Sequence, residues 1–335
     1  MKRAMEFTFT PSRVFQVLKC PQVRVLGLLL GFWLTGCNAL PPTQKQPGEG
    51  SSPATAADPA KKGKKVILTT FTVLADMAQN VAGEKAIVAA ITKTGAEIHG
   101  YEPTPSDLER GRDADLILDN GLGLERWAER FYNSFPQVAH FTLSDGVQPV
   151  SIDGGAYKGK PNPHAWMSPQ NALIYVENIR KALANLDPAN ATIYNTNAAA
   201  YGKKIRAIDI RLKQAIAVIP ADKRFIVSCE GAFSYLARDY GLSEVYLWAV
   251  NAEQQAAPRQ VEQVINTVKA KQIPAVFCES TVSNRVQLQV AKESGAKFAG
   301  VFYVDSLSSS DGPASTYLKL LEYNVNTLIA GLQGK

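Results

Sequence analysis

The chain has 335 residues, of which 46% are hydrophobic and 20% charged, a globular composition long enough for about two domains. Its formal charge of +6 is concentrated at the start: residues 1–37 hold five cations and one anion, so the remainder carries 31 cations against 29 anions, a balance of +2. The folded part therefore lacks the basic surface that a phosphate backbone requires, and nucleic-acid binding is excluded as a function.

Residues 1–37 have the layout of a secretory leader, with a basic start, ten apolar or glycine residues at 25–34 and the tetrad L-T-G-C ending at Cys37. A stretch of ten is too short for a bilayer core that needs about 20 residues, so we expect the segment to be removed. The tetrad resembles a bacterial lipobox, in which the cysteine is acylated and becomes the mature N-terminus. Cys37 is therefore the predicted lipidation site, and a plain signal peptide cut nearby is the alternative.

Residues 38–65 are rich in Pro, Gly, Ser, Gln and Lys and have no periodic apolar positions. This composition predicts a solvated, flexible tether, although a mere spacer would have the same composition. A lipid on Cys37 and the flexible tether that follows it would hold a soluble domain at a membrane surface. The sequence thus predicts a periplasmic protein anchored to the outer face of the cytoplasmic membrane.

The first half of the folded part alternates apolar β-branched runs with helical patterns, which is typical of a parallel sheet covered by helices. The predicted strands are 65–71, 86–91, 114–118 and 138–142. Helices are predicted at 72–81 and again up to Arg112, where Ser106 or Asp107 provides the N-cap.

Two helical stretches follow at 169–186, capped by Ser168, and at 188–218, and the second is longer than a usual globular helix. Beyond Pro220 the alternation restarts, with strands predicted at 224–228, 245–250, 275–278 and 298–304. The sequence therefore predicts an α/β fold of two lobes, each with a mainly parallel sheet flanked by helices. The predicted boundaries are 66–187 and 220–335 for the lobes and 188–219 for the helix that joins them.

Four potential metal ligands lie near the carboxyl ends of predicted strands or at the turn before the long helical section. His99 follows the strand 86–91, Glu230 follows F-I-V-S-C, and Asp305 follows G-V-F-Y-V. His164 lies in P-N-P-H-A-W-M-S-P, a proline-bracketed turn before a helix. Open α/β sheets bind ligands at these ends, so all four can point into one cleft between the lobes. Two imidazoles and two carboxylates suit manganese, iron or zinc better than a soft ion.

Each of these residues also has a simpler interpretation. A loop histidine is usually a surface or satisfied core residue, and Glu230 and Asp305 could be helix N-caps. His140, inside Q-V-A-H-F-T-L, is interpreted as structural. Because no short H-x-x-x-H or C-x-x-C motif is present, spacing alone leaves both interpretations open.

Five motifs carry a resemblance to a known family. They are I-H-G-Y-E-P-T-P-S-D at 98–107, N-G-L-G-L-E-R-W at 120–127, N-P-H-A-W-M-S-P at 162–169, C-E-G-A-F-S-Y-L at 229–236 and Y-V-D-S-L at 303–307. From about Val66 to its end the chain resembles the metal-binding lipoproteins of bacterial ABC importers, and most of all their cyanobacterial manganese-binding member. The resemblance implies two α/β lobes on one rigid helix and metal ligands at His99, His164, Glu230 and Asp305.

The resemblance also bears on the cargo. Zinc carriers of that family usually have a third histidine and a histidine-rich loop, whereas this chain has Glu230 at the third position and no such loop, which implies manganese. For given nitrogen and oxygen ligands, zinc binds more tightly than manganese, so only geometry and supply can favour manganese. Zinc and iron therefore stay open as alternatives.

Cys229 and Cys278 are the two cysteines outside the leader, and each ends a predicted strand, V-S-C-E and V-F-C-E. An even pair in an oxidising compartment predicts a disulfide, provided that the strands are adjacent; two buried free thiols are the alternative. Glu279 follows Cys278 as Glu230 follows Cys229, and it is interpreted as a structural or supporting acid.

The favoured function is capture and delivery rather than catalysis. A tethered receptor would bind the ion outside the cell and pass it to the membrane permease of an ABC importer, which is driven by a separate ATPase. The chain lacks G-x-x-x-x-G-K-[ST], and four protein ligands leave little room for the activated water of a catalytic metal. A metallohydrolase, a non-haem iron enzyme and a surface adhesion protein are the rival functions.

Overall fold

The computed structural model describes residues 63–251 and 256–334. The predicted leader, the lipidation site Cys37 and nearly all of the predicted tether lie outside these residues. Every element below belongs to one unit, Ala56–Lys335. Within the described residues, no helix has the length and apolar character that a membrane crossing requires.

The first lobe contains strands Lys65–Thr69 (β1), Ala86–Ala90 (β2), Leu116–Asp119 (β3) and Ala139–Thr142 (β4). They pair in parallel in the order β2-β1-β3-β4. Helices Thr72–Ala82 (α1), Pro105–Arg112 (α2) and Ala128–Asn133 (α3) connect them. All residues of β3 are buried, as expected for a central strand that is covered on both faces.

A pair of long helices leads out of this lobe. Helix Pro169–Leu186 (α4) is followed by a 3-10 turn and by the 27-residue helix Ala191–Ala217 (α5), which is about 40 Å long at 1.5 Å per residue. Near the start of α5, Asn197 donates to the carbonyl of Val81 at 3.1 Å, and near its end Asp209 accepts from the Tyr240 hydroxyl at 2.7 Å. Because Val81 belongs to the first lobe and Tyr240 to the second, α5 joins the two lobes.

The second lobe contains strands Phe225–Glu230 (β5), Ser243–Trp248 (β6), Ala275–Glu279 (β7) and Lys297–Phe302 (β8). Its helices are Ser234–Tyr240 (α6), Pro258–Lys271 (α7), Arg285–Ser294 (α8) and Tyr317–Leu332 (α9). Strand β5 pairs in parallel with β6, and β7 pairs in parallel with β8.

Side-chain links hold these two strand pairs together. The Gln287 amide donates to the carbonyl of Val227 in β5 at 3.2 Å and to that of Phe277 in β7 at 2.8 Å. A disulfide joins Cys229 to Cys278 across the same seam, with their Cα atoms 4.8 Å apart. The adjacency of the two strands that the cysteine pattern required is therefore present.

The starts of the helices differ from the prediction. Thr104, not Ser106 or Asp107, occupies the N-cap of α2, and the Asp107 carboxylate accepts from the Thr104 N–H at 2.7 Å. Ser168 precedes α4 but makes no side-chain cap; its hydroxyl donates to Asp239 at 2.5 Å. At α2 the T-x-x-D spacing of Thr104 and Asp107 is that of a capping box, which the prediction missed, whereas the Ser168 hydroxyl makes a tertiary contact that sequence spacing does not specify. The short helix α3 was not predicted.

Candidate metal centre

His99 lies in the loop between β2 and α2, which folds around the carboxylate of Glu97. The backbone N–H groups of His99 and Gly100 donate to this carboxylate at 2.8 and 2.9 Å. The indole N–H of Trp127 donates to the carbonyl of Ile98 at 3.3 Å. The backbone on either side of the imidazole is thus held by hydrogen bonds.

His164 is oriented by Asn162, two residues earlier in the same turn. The Asn162 amide donates to the carbonyl of Gly231 at 2.6 Å, and because a carbonyl only accepts, the amide oxygen must face His164. That oxygen accepts from the backbone N–H of His164 at 3.0 Å and from its ring Nδ1 at 2.9 Å. Nδ1 therefore carries the proton, and Nε2 presents the lone pair that a metal needs.

The two carboxylates come from the strand ends of the second lobe. Glu230 is the last residue of β5, and its Oε1 lies 3.2 and 3.4 Å from the two imidazole Nε2 atoms. Asp305 lies just beyond β8, and its Oδ1 is 3.8 and 3.9 Å from the same nitrogens. Helices α6 and α9 have Phe233 and Thr316 at their N-caps, so the alternative interpretation of the two acids as N-caps is wrong.

All four predicted ligands meet in one buried cluster. Their ligand atoms lie within 4.8 Å of one another. Each of the four residues is at most 6% exposed: His99, His164, Glu230 and Asp305. Oε2 of Glu230 and Oδ1 of Asp305 are buried without any hydrogen-bond partner, which is costly for a carboxylate. A divalent ion held by the four side chains would give Oδ1 of Asp305 a partner and would engage a nitrogen lone pair of each imidazole. The donor set therefore fits a metal ion.

The pKa values of the four clustered residues are shifted in different directions. Burial lowers the pKa of His164 to about 4, which keeps this ring neutral. Burial also disfavours charge on His99, but the Glu230 and Asp305 carboxylates outweigh it and raise the pKa of this ring. Burial, followed by the charge of Asp305, raises the pKa of Glu230 well above its ordinary value. Burial would raise the pKa of Asp305 as well, but the neighbouring His99 imidazole outweighs it and lowers that pKa.

A cavity of about 410 Å³ opens onto His99 and gives access to the cluster. Its rim includes residues of both lobes, among them Arg126, Lys160 and Val250. A larger cavity of about 810 Å³ lies between β6 and α7, and none of the four clustered side chains lines it. The smaller cavity is the one that concerns the site, because His99 lines it.

Supporting residues that the sequence did not reveal surround the cluster. Asn162 holds His164, whereas Asn251 and Thr281 donate to Asp305 at 2.9 and 3.1 Å. Asn162 lies inside a motif that was recognised, but a buried asparagine has no sequence pattern of its own. Position at the carboxyl end of β6 was the one available signal for Asn251.

The remaining predicted residues fall into two groups. Cys229 and Cys278 form the disulfide beside the cluster, and Glu279 accepts from the backbone N–H of Glu230 at 3.1 Å. His140 lies in β4, stacked on Tyr132 with ring centroids 4.6 Å apart, and is not part of the cluster.

Two α/β lobes on a long helix, with imidazoles and carboxylates gathered between them, define a substrate-binding protein for a metal ion. The family model described as "ZnuA: Zinc-uptake complex component A periplasmic" matches residues 67–331, and the chain belongs to this family. The chain is therefore a metal-binding substrate-binding protein of the ABC-transporter type, and its family consists of transport proteins rather than enzymes.

Individual relatives agree with this assignment. The chain is 54% identical over 275 residues to "Iron-binding protein YfeA" of Yersinia pestis, covering 82% of this chain and 88% of the relative. It is 32% identical over 321 residues to the manganese ABC transporter substrate-binding lipoprotein PsaA of Streptococcus pneumoniae, covering 94% and 99%. A solved Mn-bound periplasmic metal-binding protein from Candidatus Liberibacter asiaticus superposes with a TM-score of 0.76 at 40% identity, covering 80% of this chain and 100% of that one. None of these three is cyanobacterial, so that finer resemblance is not shown.

Proposed function

We propose that this protein captures a divalent transition-metal ion, with manganese as the native cargo, and delivers it to the permease of an ABC importer with a separate ATPase. The four ligands are His99, His164, Glu230 and Asp305. The observation that carries the proposal is their convergence: residues distant in the chain meet with ligand atoms within 4.8 Å, and two buried carboxylate oxygens have no other partner.

The ligand chemistry supports manganese without making it the tightest binder. Half of the proposed donors are carboxylate oxygens, which suit manganese, whereas zinc binds a given nitrogen and oxygen set more tightly. The names of two relatives point to iron and to manganese, and the description of the family model points to zinc. Protein isolated in the presence of both metals is therefore expected to carry zinc even where manganese is the native cargo.

The chain outside the described residues completes the proposal. Lipidation at Cys37 and a tether that ends before β1 begins at Lys65 would hold the two lobes close to the permease, at the outer face of the cytoplasmic membrane. Relatives described as substrate-binding lipoproteins support this arrangement. Mass spectrometry of the membrane-extracted protein would show an acylated Cys37 at its N-terminus, and an unmodified N-terminus at another residue would contradict the anchor.

Metal uptake in cells tests the cargo. We expect deletion of the gene to abolish high-affinity manganese uptake, and the wild-type chain to restore it. The variant Glu230→His, which replaces a hard oxygen by a third imidazole, should restore manganese uptake poorly and shift metal content toward zinc. Normal manganese uptake with failed zinc uptake in the deletion strain would overturn manganese as the cargo.

A further inference from the structure

Asn251 lies fully buried between the two carboxylates of the candidate metal centre. Its backbone N–H donates to Oε1 of Glu230 at 2.6 Å, and its side-chain amide donates to Oδ2 of Asp305 at 2.9 Å. One residue at the end of β6 thus touches acids that come from two other strand ends. Neither the cargo proposal nor the family assignment gives this residue a role.

The orientation of the Asn251 amide is determined by Trp248. The indole N–H of Trp248 lies 2.9 Å from Oδ1 of Asn251, and an indole nitrogen can only donate. The amide oxygen must therefore face the indole, so the amide nitrogen must face Asp305. A rotated amide would bring two oxygens together and leave the indole N–H without its acceptor.

Asp305 consequently has two oxygens with different surroundings. Oδ2 accepts from Asn251 and from the Thr281 hydroxyl at 3.1 Å, whereas Oδ1 is buried with no hydrogen-bond partner. The lone pairs of Oδ2 are engaged, so only Oδ1 is free for an ion. Asp305 is thereby prepared to make one bond to a metal rather than two.

We infer that Asn251 determines metal specificity by holding Oδ2 of Asp305 and limiting this carboxylate to a single bond with the ion. The inference rests on the proposed function. Zinc sites are usually four-coordinate, whereas manganese favours octahedral coordination by oxygen. A one-bond Asp305 therefore leaves zinc the tighter binder, as the proposed function expects of isolated protein, and holds manganese with fewer bonds, which eases the release of this cargo to a permease. Asn251 acts through Asp305 and Glu230 and is a positioning residue.

Competition titrations of the purified, metal-stripped protein with chelator-buffered Zn²⁺ and Mn²⁺ test this role. In Asn251→Ala, zinc affinity should fall about 10- to 100-fold, as is typical when a partner of a ligand is lost. Manganese affinity should fall less, because the freed Oδ2 can join the coordination. The ratio of manganese to zinc affinity should rise by roughly tenfold, and the EPR spectrum of bound Mn²⁺ should change.

Three further variants separate specificity from stability. Thr281→Val removes the other donor to Oδ2, and Trp248→Phe keeps an aromatic ring but frees the amide to rotate, so both should move the ratio in the same direction by less. The matched control is Asn178→Ala, a buried asparagine that donates to the carbonyls of Leu143 and Asp145 at 2.9 and 2.8 Å, outside the site. It should leave the ratio unchanged.

The outcomes are distinguishable. An equal loss of both affinities in Asn251→Ala, or an unchanged ratio, would overturn the specificity role while leaving the proposed function intact. A ratio that moves equally in Asn178→Ala would also overturn it. A wild-type protein that binds neither ion would defeat the proposed function itself.

Discussion

The two lobes contribute opposite chemistry to the candidate metal centre, and they hold it by different means. The first lobe offers two imidazoles on loops: Glu97 holds the backbone of His99, and Asn162 holds the ring of His164. The second lobe offers two carboxylates at strand ends, cross-linked by Asn251. A turn is enough to position an uncharged imidazole, whereas two adjacent buried carboxylates repel each other and need hydrogen bonds or covalent links that hold them together.

The sheets of the two lobes also differ in how their strands are held together. The first lobe has one continuous sheet of four parallel strands. In the second lobe β5 and β7 are joined by side chains, through the Cys229–Cys278 disulfide and the Gln287 amide. Glu230 directly follows Cys229, so the covalent link lies next to the residue whose pKa is raised by burial and by Asp305. The acid half of the site is the half that is covalently braced.

The largest expected effect is the drop in metal affinity when one imidazole is removed. This change tests whether the first lobe contributes ligands at all. His164→Gln should weaken metal binding by more than the roughly 100-fold that outer partners cost, because a direct bond to the ion is lost. The matched control is His140→Gln, since this histidine has a side chain 54% exposed and lies in β4. Isothermal titration should show unchanged binding in the control and little or none in His164→Gln.

Thermal unfolding of the metal-free forms of both variants shows whether folding is preserved. If His164→Gln retains wild-type affinity with a normal unfolding transition, the imidazole half of the comparison is wrong. Equal losses in His140→Gln would contradict the assignment of His140 as structural.

The next largest effect is expected on the free energy of unfolding when the Cys229–Cys278 disulfide of the second lobe is lost. Closing a loop over a sequence separation of 49 stabilises a fold by about 4 kcal/mol on the chain-entropy estimate. Urea unfolding of the metal-free protein should therefore show a free energy of unfolding lower by about this amount when the disulfide is reduced. The double variant Cys229→Ala/Cys278→Ala should be destabilised to a similar degree and should not respond to reductant.

Reduction should also weaken metal binding, because Glu230 follows the cross-linked residue and would gain freedom. The control is the same titration of the alanine double variant, whose affinity should not depend on reductant. Equal affinity of the wild-type protein with and without reductant would show that the brace stabilises the fold without holding the ligand.

The sequence predicted the alternation of strands and helices because buried parallel strands and long amphipathic helices have strong periodic patterns, and the helix over 169–186 matches α4 throughout. It also pointed to His99, His164, Glu230 and Asp305, since strand ends and a recognised motif coincide there. Asn251 also follows a strand end, but a buried asparagine acts through tertiary hydrogen bonds that no spacing encodes, so the sequence did not single it out. Helix α3, six residues long, has too few turns to show a period.

The smallest effect concerns how the first lobe holds its loops. Beyond His99, the chain is fastened by Asp107, whose carboxylate accepts from the Thr104 N–H and from the Tyr101 hydroxyl, both at 2.7 Å, and also pairs with Arg110. Asp107→Ala should lower the free energy of unfolding at pH 7 by about 1–2 kcal/mol, the cost of a lost helix cap.

This contribution should depend on pH in a defined direction. Burial would raise the pKa of Asp107, but the hydrogen bonds from Thr104, Tyr101 and Arg110 outweigh it and lower the pKa below the ordinary value. The stabilisation is therefore complete above the unfolded pKa of about 3.9 and is lost as the pH falls through the folded value. Urea unfolding should show the wild-type advantage over Asp107→Ala at pH 7 shrinking below about pH 4.

Glu177→Ala provides the control for Asp107. Glu177 also has a pKa lowered by a neighbouring arginine, but its side chain is 47% exposed, so solvent screening should keep its effect below about 1 kcal/mol. An Asp107 variant that loses the same stability at pH 7 and at pH 3 would mean that the carboxylate charge does not anchor the loop. The first lobe would then owe the position of His99 to packing around Trp127 and Ile98 instead.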